Sequence, residues 1–111
     1  MGKFIISKRA NGEFQFNLKA GNGQVILTSQ GYSSKPSCEN GINSVKTNSQ
    51  EDAKFERNTA RDGRCYFNLK AGNGQIIGTS QMYETDNGME NGIDSVKNNA
   101  PNASVEDEIN L

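Results

Sequence analysis

At 111 residues, with 32% hydrophobic residues, 12 glycines and no histidine, the chain is sized for one small, polar-surfaced domain. Twelve Lys and Arg against thirteen Asp and Glu leave a formal charge of −1, which disfavours nucleic-acid binding through bulk electrostatics. Without His and without a CxxC pair there is no Cys–His nucleophile and no zinc ligand set, so neither a cofactor nor a metal is expected. No apolar run approaches the ~18 residues needed to cross a bilayer, and the first six residues lack the apolar core of a signal peptide. A cytoplasmic location is the expectation, with no membrane partner.

In chain order, residues 4–8 read as a strand and residues 10–13 as a turn, because Asn11 and Gly12 tolerate the positive φ of a tight hairpin. Phe14, Phe16, Leu18 and Ala20 then alternate with Gln15, Asn17 and Lys19, the period-two pattern of a strand buried on one face. Gly21, Asn22 and Gly23 close a second hairpin onto a strand over residues 25–30. A three-residue loop with a bulged glycine would pair Leu18 with Ile26, and a two-residue loop would pair it with Leu27. The second copy of this segment keeps Ile77 but puts Gly78 in place of Leu27, which favours the pairing with Ile26. After Tyr32 the period changes: Cys38, Ile42 and Val45 lie at i, i+4 and i+7, a helix laying one stripe on the sheet, with Ser33 or Ser34 as its N-cap before Pro36. Mid-helix Gly41 costs about 1 kcal/mol against Ala, which points to close approach of the helix backbone to a neighbour.

The chain then repeats itself. Asn17–Gln24 returns letter for letter from residue 68, an offset of 51, and Thr28-Ser29-Gln30, Tyr32 and Glu39-Asn40-Gly41-Ile42 recur at the same offset without a gap. Residues 1–51 and 52–111, the latter with a C-terminal tail, are thus two copies of one unit, each near the size at which a chain struggles to bury enough apolar surface alone; a single domain sharing one core is expected. The second helix carries Met89, Ile93 and Val96 in the stripe, Gly92 mid-helix, and Thr85 or Asp86 as cap. Residues 104–107 correspond to 53–56 and supply a last strand before an acidic tail. Cys38 aligns with Met89 and Cys65 with Phe14, so both cysteines replace apolar residues and read as buried, reduced thiols.

The pattern Phe-x-Phe-x-Leu-Lys-Ala-x-Asn-Gly-x-Ile-Ile-x-Thr-Ser-x-x-Tyr followed by Glu-Asn-Gly-Ile-x-Ser-Val-Lys resembles the YegP-like family of uncharacterised bacterial proteins. It is met at residues 14–32 with 39–46 and again, with Cys65 for the first Phe, at 65–83 with 90–97. The resemblance implies an α+β fold in which two tandem βββαβ repeats form one antiparallel sheet, with both helices packed on one face in pseudo-twofold symmetry and the last strand of each unit exchanged to the other. It also implies a fused pseudo-dimer that is a monomer in solution, and it brings no established activity.

With the alternate positions turned inward, the outer sheet face should carry Gln15, Asn17, Lys19, Leu27 and Ser29, and Tyr66, Asn68, Lys70, Gly78 and Ser80 from the other copy. Lys supplies a point charge and Asn an amide that donates and accepts, so Asn17, Lys19, Asn68 and Lys70, with Tyr66 as a stacking face, are candidate ligand-binding residues; the same residues would also serve to keep an exposed face solvated. Three functions remain. The chain is either an interaction module that binds a peptide, protein or nucleic-acid segment by its outer face or a strand edge, a binder of small ligands or anions through the paired Asn/Lys sets, or an enzyme. The enzyme ranks last, because neither cysteine is duplicated and no nucleophile–base spacing occurs, so there are no catalytic residues to name. Glu39 and Glu90 in the first turns of the helices suit the exposed N–H groups there better than a catalytic pair.

Overall fold

The computed structural model describes residues 2–108. Its elements run β1 (Lys3–Lys8), β2 (Phe14–Lys19), β3 (Val25–Thr28), α1 (Lys35–Asn48), a 3-10 turn (Asp52–Lys54), β4 (Phe55–Thr59), β5 (Cys65–Lys70), β6 (Ile76–Thr79), α2 (Asp86–Asn99) and β7 (Ser104–Asp107). The seven strands form one sheet in the order β4-β5-β6-β3-β2-β1-β7. The two copies meet at β3 and β6, where Thr28 opposite Thr79 marks the pseudo-twofold axis. The strand that follows α2 crosses to the other copy and lies beside β1. That last pairing is parallel, and the other five described ones are antiparallel. The rest of the expected acidic tail, residues 109–111, lies outside the described residues.

Local chemistry sets these elements. Gly12, Gly23, Gly63 and Gly74 sit at the hairpin turns with φ near +90°, which a side chain resists. Ser34 and Thr85 cap the helices, their hydroxyls accepting from Ser37 N at 3.2 Å and Gly88 N at 3.0 Å. Cys38, Gly41, Ile42 and Val45 of α1, and Met89, Gly92, Ile93 and Val96 of α2, are the buried stripes. They pack with Phe4, Phe16, Leu18, Leu27, Phe55, Phe67 and Leu69 of the sheet's inner face into one core. Tyr32 stacks on Phe16 and Tyr83 on Phe67, in both cases with ring centroids 6.3 Å apart. The neighbour that requires the mid-helix glycines is the tyrosine: a Cβ on Gly41 or Gly92 would overlap the hydroxyl of Tyr32 or Tyr83. Backbone bonds from Phe14 to Tyr32 and from Cys65 to Tyr83 fix the start of each crossover. Both cysteines are buried and free. Burial pushes the Cys38 thiol up to about 11, and a hydrogen bond to Asp86 raises that of Cys65.

The hairpin register differs from expectation. Leu18 pairs with Leu27 and Lys19 with Val25, so three residues of β3 oppose two of β2, and the second copy repeats the bulge with Leu69 opposite Gly78. A bulge lets consecutive residues face inward, and both Ile26 and Leu27 are buried. Neither apolar position had to be sacrificed, so the choice between them was a false one. The shift also moves Leu27, Ser29, Gly78 and Ser80 off the outer face. Ser29 and Ser80 are buried, accepting from Phe16 N and Phe67 N at 2.9 Å and donating to the carbonyls of Gln30 and Gln81. Thr28 and Thr79 take the outer positions instead, opposite Asn17 and Asn68.

Candidate functional site

Both helices lie on one side, leaving the opposite sheet face without a helical cover among the described residues. The register draws one row of side chains straight across it: Glu106, Ile5, Asn17, Thr28, Thr79, Asn68 and Glu56, one from each strand. Asn17 and Asn68 therefore share a line, three strand spacings or about 14 Å apart, with two threonines between them. Because β2 and β5 run in opposite directions, Lys19 and Lys70 stand at opposite ends of the sheet. Tyr66 lies opposite Asn58, toward the end that holds Lys19. The five candidate residues thus share a face without converging on one recess.

The two halves of that face are wired differently. In the second copy Glu56 accepts from Asn68 Nδ2 at 3.0 Å and Asn58 Nδ2 at 3.2 Å and pairs with Lys70 Nζ at 2.7 Å. Thr79 Oγ1 donates to Asn68 Oδ1 at 2.8 Å, completing a closed network. Lys70, then Asn68 and Asn58, hold the Glu56 carboxyl down at about 2. In the first copy the position of Glu56 is Ile5, 5% exposed, and the side chains of Asn17, Lys19 and Thr28 make no hydrogen bond or ion pair within the described residues. Lys19 instead borders a recess of about 320 Å³ with Lys3, Ile5, Gly21, Glu106 and Glu108, in which Lys3 is already paired to Glu106 at 3.1 Å.

Glu39 and Glu90 lie past the first turns of α1 and α2 rather than in them, and Glu90 is not a lone carboxylate. Arg57 Nε and the Arg57 guanidinium's second nitrogen grip its two oxygens at 2.6 and 3.0 Å, and Arg57 and Lys97 share Asp52 at 3.0 and 2.9 Å. This cluster lies on the inner face beside β4, the end strand of the described sheet, and Arg57, then Lys97, hold Asp52 at about 2. Sequence reasoning missed it because the partners lie 33 and 45 residues apart; the available signal was the polarity of Phe55-Glu56-Arg57-Asn58 against Phe4-Ile5-Ile6-Ser7. No group of three or more His, Cys, Asp or Glu able to hold a metal occurs among the described residues.

Comparison with known proteins agrees with this architecture. A domain of unknown function, DUF1508, matches twice, at residues 10–56 and 60–107. The chain belongs to the DUF1508 family. Its DUF1508 relatives include the UPF0339 protein YegP of Escherichia coli K12, 53% identical over 106 residues, and the UPF0339 protein ACIAD0721 of Acinetobacter baylyi, 52% identical over 106 residues; in both, the match covers 96% of each chain. The solution structure of E. coli yegP, a protein of unknown function, superposes with a TM-score of 0.92 at 52% identity, covering 96% of this chain and 92% of that one. That of the UPF0339 protein SO3888 from Shewanella oneidensis superposes at 0.90 with 49% identity, covering 96% and 90%. The tandem DUF1508 repeats and the α+β fold are those of this uncharacterised bacterial family, and no described helix is long and apolar enough to cross a membrane.

Proposed function

We propose that the chain is a non-catalytic, cytoplasmic binding module, monomeric as a fused pseudo-dimer, that holds an extended acidic polypeptide segment against the first copy's half of its uncovered sheet face. The observation that carries this reading is the set Asn17, Thr28 and Lys19, without a side-chain partner among the described residues, whose counterparts Asn68 and Lys70 are held by Glu56 and Thr79 by Asn68. Asn17 and Thr28 offer donors and acceptors to a peptide backbone, and Lys19 offers a cation to an acidic side chain. The flat spread of these groups supports a macromolecular segment over a small anion caught between paired lysines. Strand addition at an edge is the weaker mode, because β4 and β7 carry Glu56, Arg57, Glu106 and Asp107, and charged edge residues oppose it.

Chemical-shift mapping on the full chain with short acidic peptides, nucleotides and oligonucleotides tests the reading. Acidic peptides should shift Asn17, Lys19 and Thr28, and Glu56→Ile should add Asn68, Lys70 and Thr79 by opening a second half-site. Shifts confined to β4 or β7, or produced by the nucleotides and oligonucleotides alone, would overturn it.

A further inference from the structure

At one end of the sheet the hairpin of the first copy faces the crossover and helix α2 of the second. There Asn22 and Gln24 of the hairpin, Gln81 and Tyr83 of the crossover, and Asn91 and Ser95 of α2 line a recess of about 170 Å³ that no charged residue borders. Four carboxamides from three segments of two copies converge on it, and most of their bonding capacity is unspent. Asn22 accepts only from Gln24 N at 3.0 Å, Gln81 reaches the Tyr83 hydroxyl, and the side chains of Gln24 and Asn91 bond to nothing among the described residues. Asn91 lies on the exposed side of a helix whose interior Asn disfavours, and Asn40 repeats it in the other copy, so helix stability did not select it. The pseudo-twofold axis repeats part of the lining at the opposite end, where Gln30, Tyr32, Gln75 and Ile77 border a wider hollow of about 520 Å³. Gln24, Ile26, Gln81 and Tyr83 are identical to their counterparts, although the intervening residues 33–38 differ throughout from 84–89.

We propose that this recess is a site for the ring of a neutral sugar, assembled from both copies and separate from the sheet face. A carboxamide both donates and accepts, which matches a hydroxyl; a phosphate or carboxylate only accepts, and it would set its charge against the amide oxygens with no cation to offset it. The buried Ile26 side chain gives the C–H face of a ring an apolar floor. The volume holds one ring rather than a length of extended chain, since ligand pockets for larger molecules start at roughly 300 Å³.

The test is a titration of the full chain with methyl β-D-glucopyranoside, following the side-chain NH2 resonances of Asn and Gln, beside parallel titrations with N-acetylglycine N-methylamide and inorganic phosphate. The glycoside should shift the NH2 pairs of Asn22, Gln24, Gln81 and Asn91. Asn91→Ala, at a helix position where Ala is tolerated, should weaken the fitted Kd roughly fivefold to tenfold, the loss of about one hydrogen bond, and Gln24→Ala should do the same from the hairpin side. No shift with the glycoside, shifts that follow the diamide or phosphate instead, or a Kd unchanged in both variants would overturn the proposal.

Discussion

β1 and β4 are the same strand in the two copies, yet β1 is an interior strand and β4 an edge. With β7 beside it, β1 carries Ile5 and Ile6, one on each face and both buried. Among the described residues β4 has no strand beyond it, and it carries Glu56 and Arg57 at those two positions. Each charge is satisfied within its own copy, Glu56 by Asn68, Asn58 and Lys70, and Arg57 by Glu90 and Asp52. An exposed apolar edge invites pairing with other chains, and inward- and outward-pointing charges prevent it. Protecting that edge has a side effect on the adjoining half of the sheet face: it ties up Asn68 and Lys70, whose counterparts Asn17 and Lys19 the first copy leaves open. The duplication thus keeps one core and makes two different surfaces.

The core is where the copies should behave alike. Phe16 and Phe67 are both fully buried in equivalent positions, so Phe16→Ala and Phe67→Ala should each lower unfolding free energy by roughly 3–5 kcal/mol. Urea denaturation measures this; a cost near 0.5 kcal/mol for either, the level of a surface site, would break the equivalence. Next in size is the tyrosine–glycine contact. In most helices Gly→Ala stabilises, but Gly92→Ala should destabilise by about 1–3 kcal/mol through overlap with the Tyr83 hydroxyl. Tyr83→Phe should recover part of that loss, and additivity of the two changes would argue against the contact.

The edge comparison predicts smaller effects. Arg57→Ile gives β4 the residue of β1 without the covering strand, so stability should change by about 1 kcal/mol or less, as exposed ion pairs allow, while light scattering should detect self-association. A variant that stays monomeric at every concentration would show that Arg57 does not guard the edge. The acids there also set a pH response. Folding lowers the carboxyls of Asp52 and Glu56 to about 2, so their stabilisation is complete above the ordinary carboxylate range and is lost as pH falls through the folded value. Urea midpoints should therefore drop between about pH 4.5 and 2, and Glu56→Gln should flatten that slope. An unchanged slope would assign the acid response elsewhere.

Much of the fold was legible because its signals are local or repeated: the alternation of Phe14–Ala20, the stripes of Cys38–Val45 and Met89–Val96, the caps, and an offset of 51 with no gap. What escaped depends on register. Whether Leu27 or Ile26 faces inward turns on a bulge that buries both, and the grip of Glu56 on Asn68 and Lys70 exists only once β4 is set against β5. The candidate residues Asn17, Lys19, Asn68, Lys70 and Tyr66 could be placed on one face from alternation alone. That Asn68 and Lys70 lie closed while Asn17 and Lys19 lie open follows from position 5 or 56, a difference visible in the chain whose meaning needs the neighbouring strand.

Leu27 and Gly78 occupy equivalent positions and meet across the axis, where a Cβ on Gly78 would come within 2.7 Å of Leu27 Cγ. The seam between the copies is thus a fit of large against small. Two first copies brought together would set leucine against leucine, and two second copies would face each other over a void. The substitution makes the halves mutually selective: a first copy seats on a second copy, and like halves do not fit.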